Sequence, residues 1–83
     1  MRNIIVVTGG AGFVGTNLIE KLVNETKFKV ISIDNYSSGV RKNHIKNKRI
    51  KYIKSDTSQI SKTLNQYKNK IHSIFHYGEF ARI

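Results

Sequence analysis

Apolar and polar positions change period several times along this chain of 83 residues. Ile4-Ile5-Val6-Val7 is an unbroken β-branched run between Asn3 and Thr8-Gly9-Gly10, the pattern of a strand covered on both faces. From Phe13 the spacing turns helical. Val14, Leu18 and Leu22 recur every four residues with Ile19 and Val23 beside them, which predicts a helix to about Thr26. Lys29-Val30-Ile31-Ser32-Ile33 reads as a second strand, closed by Asp34-Asn35. The polar stretch from Tyr36 to Lys48, with Ser37-Ser38-Gly39 inside it, reads as a loop with room for one helical turn. Ile50-Lys51-Tyr52-Ile53-Lys54 alternates, as an edge strand with one wetter face does. Ser55-Asp56-Thr57-Ser58 supplies cap residues for a weak helix through Ile60, Leu64 and Tyr67, and Ile71–His76 is a fourth strand. Strands alternating with helices predict an α/β fold of parallel strands joined by right-handed crossovers.

Composition narrows the class. The length suits one small folding unit, and 39% hydrophobic residues exclude a disordered tail. With no cysteine there is no disulfide framework and no thiolate for a metal or for catalysis. No apolar run reaches the ~18 residues that a membrane helix requires, and the run after Met1-Arg2-Asn3 is too short for a signal peptide. A soluble chain in the cytoplasm is the expectation.

The most informative stretch is Thr8-Gly9-Gly10-Ala11-Gly12-Phe13-Val14-Gly15, between the first strand and the first helix. It satisfies Gly-x-Gly-x-x-Gly through Gly10, Gly12 and Gly15, and Gly-x-x-Gly-x-x-Gly through Gly9, Gly12 and Gly15. A tight strand-to-helix turn needs positive φ or close backbone approach, and glycine permits both. The free N–H groups at a helix start, with the positive end of its dipole, suit a pyrophosphate. Gly12 is expected to admit those phosphates, and Gly15 to seat the helix close to the first strand. Gly15 is followed by Thr16 and no lysine, so the string is not a triphosphate-hydrolase loop. Asp34, 19 positions after Gly15, ends the second strand where a carboxylate accepts bonds from an adenosine ribose and repels a 2′-phosphate. NAD is therefore expected over NADP.

These residues, with Asp34-Asn35-Tyr36-Ser37-Ser38-Gly39, resemble the start of extended short-chain dehydrogenase/reductases, and most of all the NAD-dependent nucleotide-sugar epimerases and dehydratases of the UDP-glucose 4-epimerase type. The resemblance implies a partial Rossmann (doubly wound) fold with sheet order 3-2-1-4 and flanking helices. It covers essentially all of residues 1–83, as the amino-terminal half of an NAD-binding domain with no second domain in the chain. It implies that Gly9, Gly12, Phe13, Val14 and Gly15 hold the pyrophosphate, and that Asp34 and Asn35 hold the adenosine ribose. Asp56 and Thr57 fall at the adenine, and Tyr77 and Gly78 border the middle of the cofactor. Phe75-His76-Tyr77-Gly78-Glu79 departs from the family's Phe-His-Leu-Ala-Ala-like stretch at Gly78-Glu79. In the family's chemistry a sugar carbon of a nucleotide-sugar gives up a hydride, which an epimerase returns to the other face.

The family's Tyr-x-x-x-Lys pair is not in this chain. Four residues after Tyr36, Tyr52, Tyr67 and Tyr77 stand Val40, Asp56, Ile71 and Ala81, so no catalytic residue is assigned and the chain alone is expected to be inactive. Metal binding is not expected either. On a strand, His72 and His76 stand about 13 Å apart at ~3.3 Å per residue, too far to share an ion. They and His44 read as ordinary polar positions. The net charge is +10, and seven of the fifteen basic residues, Arg41, Lys42, Lys46, Lys48, Arg49, Lys51 and Lys54, fall in one stretch free of acids. Few aromatics accompany them, so a solvated basic face is favoured over a nucleic-acid site. A non-catalytic nucleotide-binding or interaction module, and a basic nucleic-acid-binding domain, stand as alternatives. Strand four is expected to leave Ile71, Ile74, Phe75 and one backbone edge exposed, giving marginal stability and pairing or aggregation along that edge.

Overall fold

The computed structural model describes residues 2–9, 12–35, 44–55 and 59–76. Strand β1 (Ile4–Thr8) is buried along its whole length because both of its neighbours and both faces of the sheet are covered. Helix α1 (Phe13–Glu25) leads to β2 (Lys29–Asp34), parallel to β1 with Ile4 opposite Lys29 and Thr8 opposite Ile33. Strand β3 (Ile50–Lys54) adds to the far side of β2. A five-residue helix α2 (Ile60–Leu64) and a 3-10 turn (Asn65–Tyr67) then return the chain to β4 (Ile71–His76), on the other side of β1. The order is β3-β2-β1-β4, as the family resemblance implies.

The reversal of direction at β1 determines where the helices go. Right-handed crossovers running outward in opposite directions place their helices on opposite faces of one sheet. Two apolar layers result. Ile5, Val7 and Val30 pack with Ile19 and Val23 of α1, while Ile4, Val6, Ile31 and Ile33 pack with Leu64. Burying each such aliphatic side chain contributes about 1.5–3 kcal/mol. Helix α1 stops at Thr26, whose N–H and Oγ1 both donate to the Leu22 carbonyl, at 2.9 and 2.6 Å.

Four expectations are corrected by packing. Helix α2 does not run to Tyr67: it is capped at Gln59 without a side-chain bond and tightens to 3-10 geometry after Leu64. Of the cap residues read for it, Asp56, Thr57 and Ser58 lie outside the described residues. Ile71 is half-buried against the Leu64 layer, whereas Ile74 and Phe75 are 43% and 37% exposed. Strand β3 is an edge strand, but neither of its faces is wholly wet. Ile50 and Tyr52 join the α1 layer and Ile53 the α2 layer. Arg49, read as part of a solvated face, instead donates through its guanidinium to the carbonyls of Val23, Thr26 and Phe28.

Candidate functional site

Open parallel sheets bind ligands beyond the carboxyl ends of their strands, at the point where strand order reverses. Here that point lies between β1 and β4, and the glycine turn leaves β1 beside it. Gly9 has φ 74°, a left-handed conformation that costs other residues about 1–2 kcal/mol. Its N–H continues the sheet ladder by donating to the Ile33 carbonyl at 2.7 Å, and its own carbonyl accepts from Gly12 at 3.1 Å. These two bonds fold the turn back over the end of β2.

Gly12 is the N-cap of α1, and the helix has no side-chain cap and no acidic residue in its first turn. The first intrahelical bond runs from the Thr16 N–H to the Gly12 carbonyl at 2.9 Å. The amides of Phe13, Val14 and Gly15 therefore precede the helix ladder and face the end of the turn. The Phe13 and Val14 side chains are 80% and 54% exposed, so they stand clear of the packed interior. A Cβ on Gly12 would meet the Gly9 carbonyl oxygen at 3.4 Å, which shows how closely the main chain folds upon itself there. Gly15 is buried, as expected of a residue that seats the helix on the sheet.

Asp34 ends β2 one residue beyond the Ile33 carbonyl that holds Gly9, and it is 9% exposed. Its own carbonyl accepts from the Ser55 N–H at 3.0 Å, which ties the ends of β2 and β3 together. Asn35 follows it on the exposed side. The structure thus gathers Gly9, Gly12, Phe13, Val14, Gly15, Asp34 and Asn35 at one end of the sheet. Asp56, Thr57, Tyr77 and Gly78, with Gly10 of the alternative glycine spacing, lie outside the described residues.

One contact at this end went unread. Thr8 Oγ1 lies 3.2 Å from His76 Nδ1, joining the carboxyl ends of β1 and β4 beside the switch point. The signal for it was the parallel register, which sets the last residues of the two strands side by side. The other histidines have partners elsewhere: His44 stacks on Tyr52 with ring centroids 3.7 Å apart, and His72 lies against Phe28 and Ser73. Among the described residues no three His, Cys, Asp or Glu side chains gather as a metal would require. No described helix is long and apolar enough to cross a membrane.

A sheet whose order reverses beside a bare helix start, with an acidic residue closing the next strand, defines a dinucleotide-binding α/β domain. The cradle fits a dinucleotide on structural grounds, because no side chain caps the helix start and the neighbouring strand end carries one buried carboxylate.

The comparisons with known proteins agree. The chain belongs to the NAD dependent epimerase/dehydratase family, whose model matches residues 5–82. Over 39 residues, 47% of this chain, it is 51% identical to UDP-glucuronic acid decarboxylase 6 of Arabidopsis thaliana, of which it covers 11%. The structure of the epimerase Mth375 from Methanothermobacter thermautotrophicus superposes with a TM-score of 0.80 at 31% identity, over 93% of this chain and 23% of that one. The Bordetella bronchiseptica enzyme WbmG, solved in complex with NAD, superposes with a TM-score of 0.78 at 25% identity, over 94% of this chain and 25% of that one. The chain thus spans between about a tenth and a quarter of the length of these relatives.

Proposed function

We propose that these residues form the amino-terminal, NAD-holding part of an enzyme acting on a nucleotide-linked sugar, with the catalytic Tyr-x-x-x-Lys pair in a part of the protein outside residues 1–83. The observation that carries this reading is the pairing of Gly9 at φ 74° with an uncapped α1 start, next to Asp34 at the end of β2. The amides of Phe13, Val14 and Gly15 donate to the pyrophosphate, and the Asp34 carboxylate accepts from the adenosine ribose hydroxyls, with Asn35 beside it. Asp56 and Thr57 are assigned to the adenine and Tyr77 and Gly78 to the middle of the cofactor, on the family resemblance alone. NAD, when bound, supplies the hydride acceptor.

The names of the matched proteins support a sugar-nucleotide substrate, with epimerases and a UDP-glucuronic acid decarboxylase among them. A cytoplasmic location belongs to the same reading, and the lack of cysteine means that no element depends on an oxidising compartment. The edge of β4, with Ile74 and Phe75 exposed, supports pairing with a further strand of the same protein or of a second copy.

Calorimetric titration of the protein at its natural length with NAD and with NADP tests the proposal. Saturable binding of NAD, tighter than that of NADP, is expected. Absence of NAD binding by a folded sample overturns it.

A further inference from the structure

At the opposite end of the sheet, away from the glycine turn, the amino ends of β2 and β3 and the turn before β4 surround a cavity of about 310 Å³. Ile4, Ile31 and Tyr67 line it from the α2 side of the sheet, with the strand ends at Val30 and Ile50 and with Lys29, Lys48, Lys51 and Lys70. Ile4 and Ile31 belong to the layer under Leu64, but the helix stops there and the 3-10 turn brings only Tyr67 further along that face. Ile4 and Ile31 are themselves buried, and Lys51, opposite Ile31 and on the same side of β3 as Ile53, is exposed beside them.

Four lysines, from β2, from β3 and the turn before it, and from the turn before β4, thus line one concavity, and no described aspartate or glutamate lines it. None of the four has an ion pair or side-chain hydrogen bond with a described residue. Arg49, which also borders the cavity, spends its guanidinium on the carbonyls of Val23, Thr26 and Phe28. Like charges brought together over an apolar wall repel one another unless an anion is shared among them, and a concave low-dielectric wall focuses their field. The backbone does not compete for that anion. The N–H groups of Ile4, Lys29, Val30 and Ile50 are already bonded to Lys70, Asn3, Arg49 and Asn47.

We infer that this cavity is a second anion site, separate from the dinucleotide cradle, for a small ligand carrying several phosphates, which the ammonium groups of Lys29, Lys48, Lys51 and Lys70 hold. The volume lies at the low end of the range for small-molecule sites, and half-buried Tyr67 offers an apolar surface for any non-phosphate part of the ligand.

The test uses the protein at its natural length, saturated with NAD, and inorganic tripolyphosphate as the probe. Calorimetry is expected to show one saturable site, weakened at least tenfold in a Lys29→Gln/Lys51→Gln/Lys70→Gln variant whose NAD affinity is unchanged. A control variant, Lys21→Gln/Lys27→Gln/Lys62→Gln, removes the same charge from exposed positions elsewhere and is expected to bind tripolyphosphate within twofold of the parent. Equal weakening in both variants reduces the effect to net charge and overturns the site. Displacement of NAD by tripolyphosphate overturns it too, by placing the probe in the cradle. Tighter binding of a single-stranded oligonucleotide than of tripolyphosphate, lost in the first variant, overturns the small-ligand assignment in favour of a nucleic-acid surface. A sample that binds tripolyphosphate as described but not NAD refutes the proposed function while leaving this site standing.

Discussion

The guanidinium of Arg49 donates to the carbonyl oxygen of Val23, 26 residues earlier in the chain. The same group donates to the Thr26 and Phe28 carbonyls at 2.8 and 3.0 Å, so one side chain occupies the carboxyl end of α1 and the start of the loop to β2. A cation at this position also opposes the negative end of the helix dipole. Because α1 presents the cofactor cradle from its other end, Arg49 fixes the helix that aims the cradle.

Removing that anchor is expected to destabilise the protein. Arg49→Met loses three charge-assisted bonds in a half-buried position, at about 1.5–3 kcal/mol for the first of them and less for those that share its geometry. A loss of roughly 2–4 kcal/mol is expected from denaturant midpoints. Arg49→Lys retains the charge but not the planar fork, and is expected to recover less than half of that loss.

Two glycines of the turn are expected to respond differently to the same substitution. Gly9→Ala forces a Cβ into φ 74° and is expected to lower stability by about 1–2 kcal/mol. Gly12 has φ −81° and ψ 175°, open to any residue, and a Cβ there meets the Gly9 carbonyl oxygen at 3.4 Å. Gly12→Ala is thus expected to shift stability by less than about 1 kcal/mol. NAD affinity is nonetheless expected to fall at least tenfold, since under the proposed function the new methyl group stands where the pyrophosphate docks. Melting curves read beside NAD titrations of both variants check this.

Asp34→Asn retains the shape at the end of β2 and removes the charge. A hydrogen bond to a charged acceptor contributes about 1.5–3 kcal/mol, so NAD binding is expected to weaken about ten- to hundredfold. NADP binding is expected to weaken less or to improve, because the repulsion of its 2′-phosphate goes with the carboxylate. Competition titration with the two dinucleotides reads the ratio directly.

Tyr52 links structure to pH. Burial raises its phenol above the ordinary 10.0, and the hydrogen bond from the Ile45 N–H at 2.9 Å lowers it in part. The folded protein therefore keeps this proton to higher pH than the unfolded chain does. The group adds no slope well below pH 10.0, and stability falls as pH rises past that value. Tyr52→Phe is expected to remove this part of the alkaline loss, while also leaving the Ile45 N–H without its acceptor. Denaturant midpoints of the two proteins measured between about pH 9 and 11 check the difference.

The parts of this fold that were legible in the amino-acid order are those whose cause is local. The run Ile4–Val7 predicts a strand wherever it lies, and the glycine spacing predicts a tight turn, which Gly9 makes with its positive φ. Asp34 was legible because strand length and crossover length fix its distance from Gly15. What escaped depends on residues brought together from afar. Arg49 looks like any solvated cation until α1 ends beside it, and Lys51 looks like the wet side of an edge strand until the turn before β4 brings Lys70 to the same concavity. Ser32, wholly buried opposite Val7 and Tyr52, has an Oγ without a partner among the described residues. A serine within an apolar strand gives no warning of that.

The pairing of Thr8 with His76 spans 68 positions. At a synthesis rate of about 5–20 residues per second, roughly 3–14 s separate the emergence of these two residues from the ribosome. For the first part of that interval β2 is not yet made, and for all of it β1 lacks its complete β4 neighbour. Until β4 emerges, the main-chain groups on that flank of β1 have no strand to pair with.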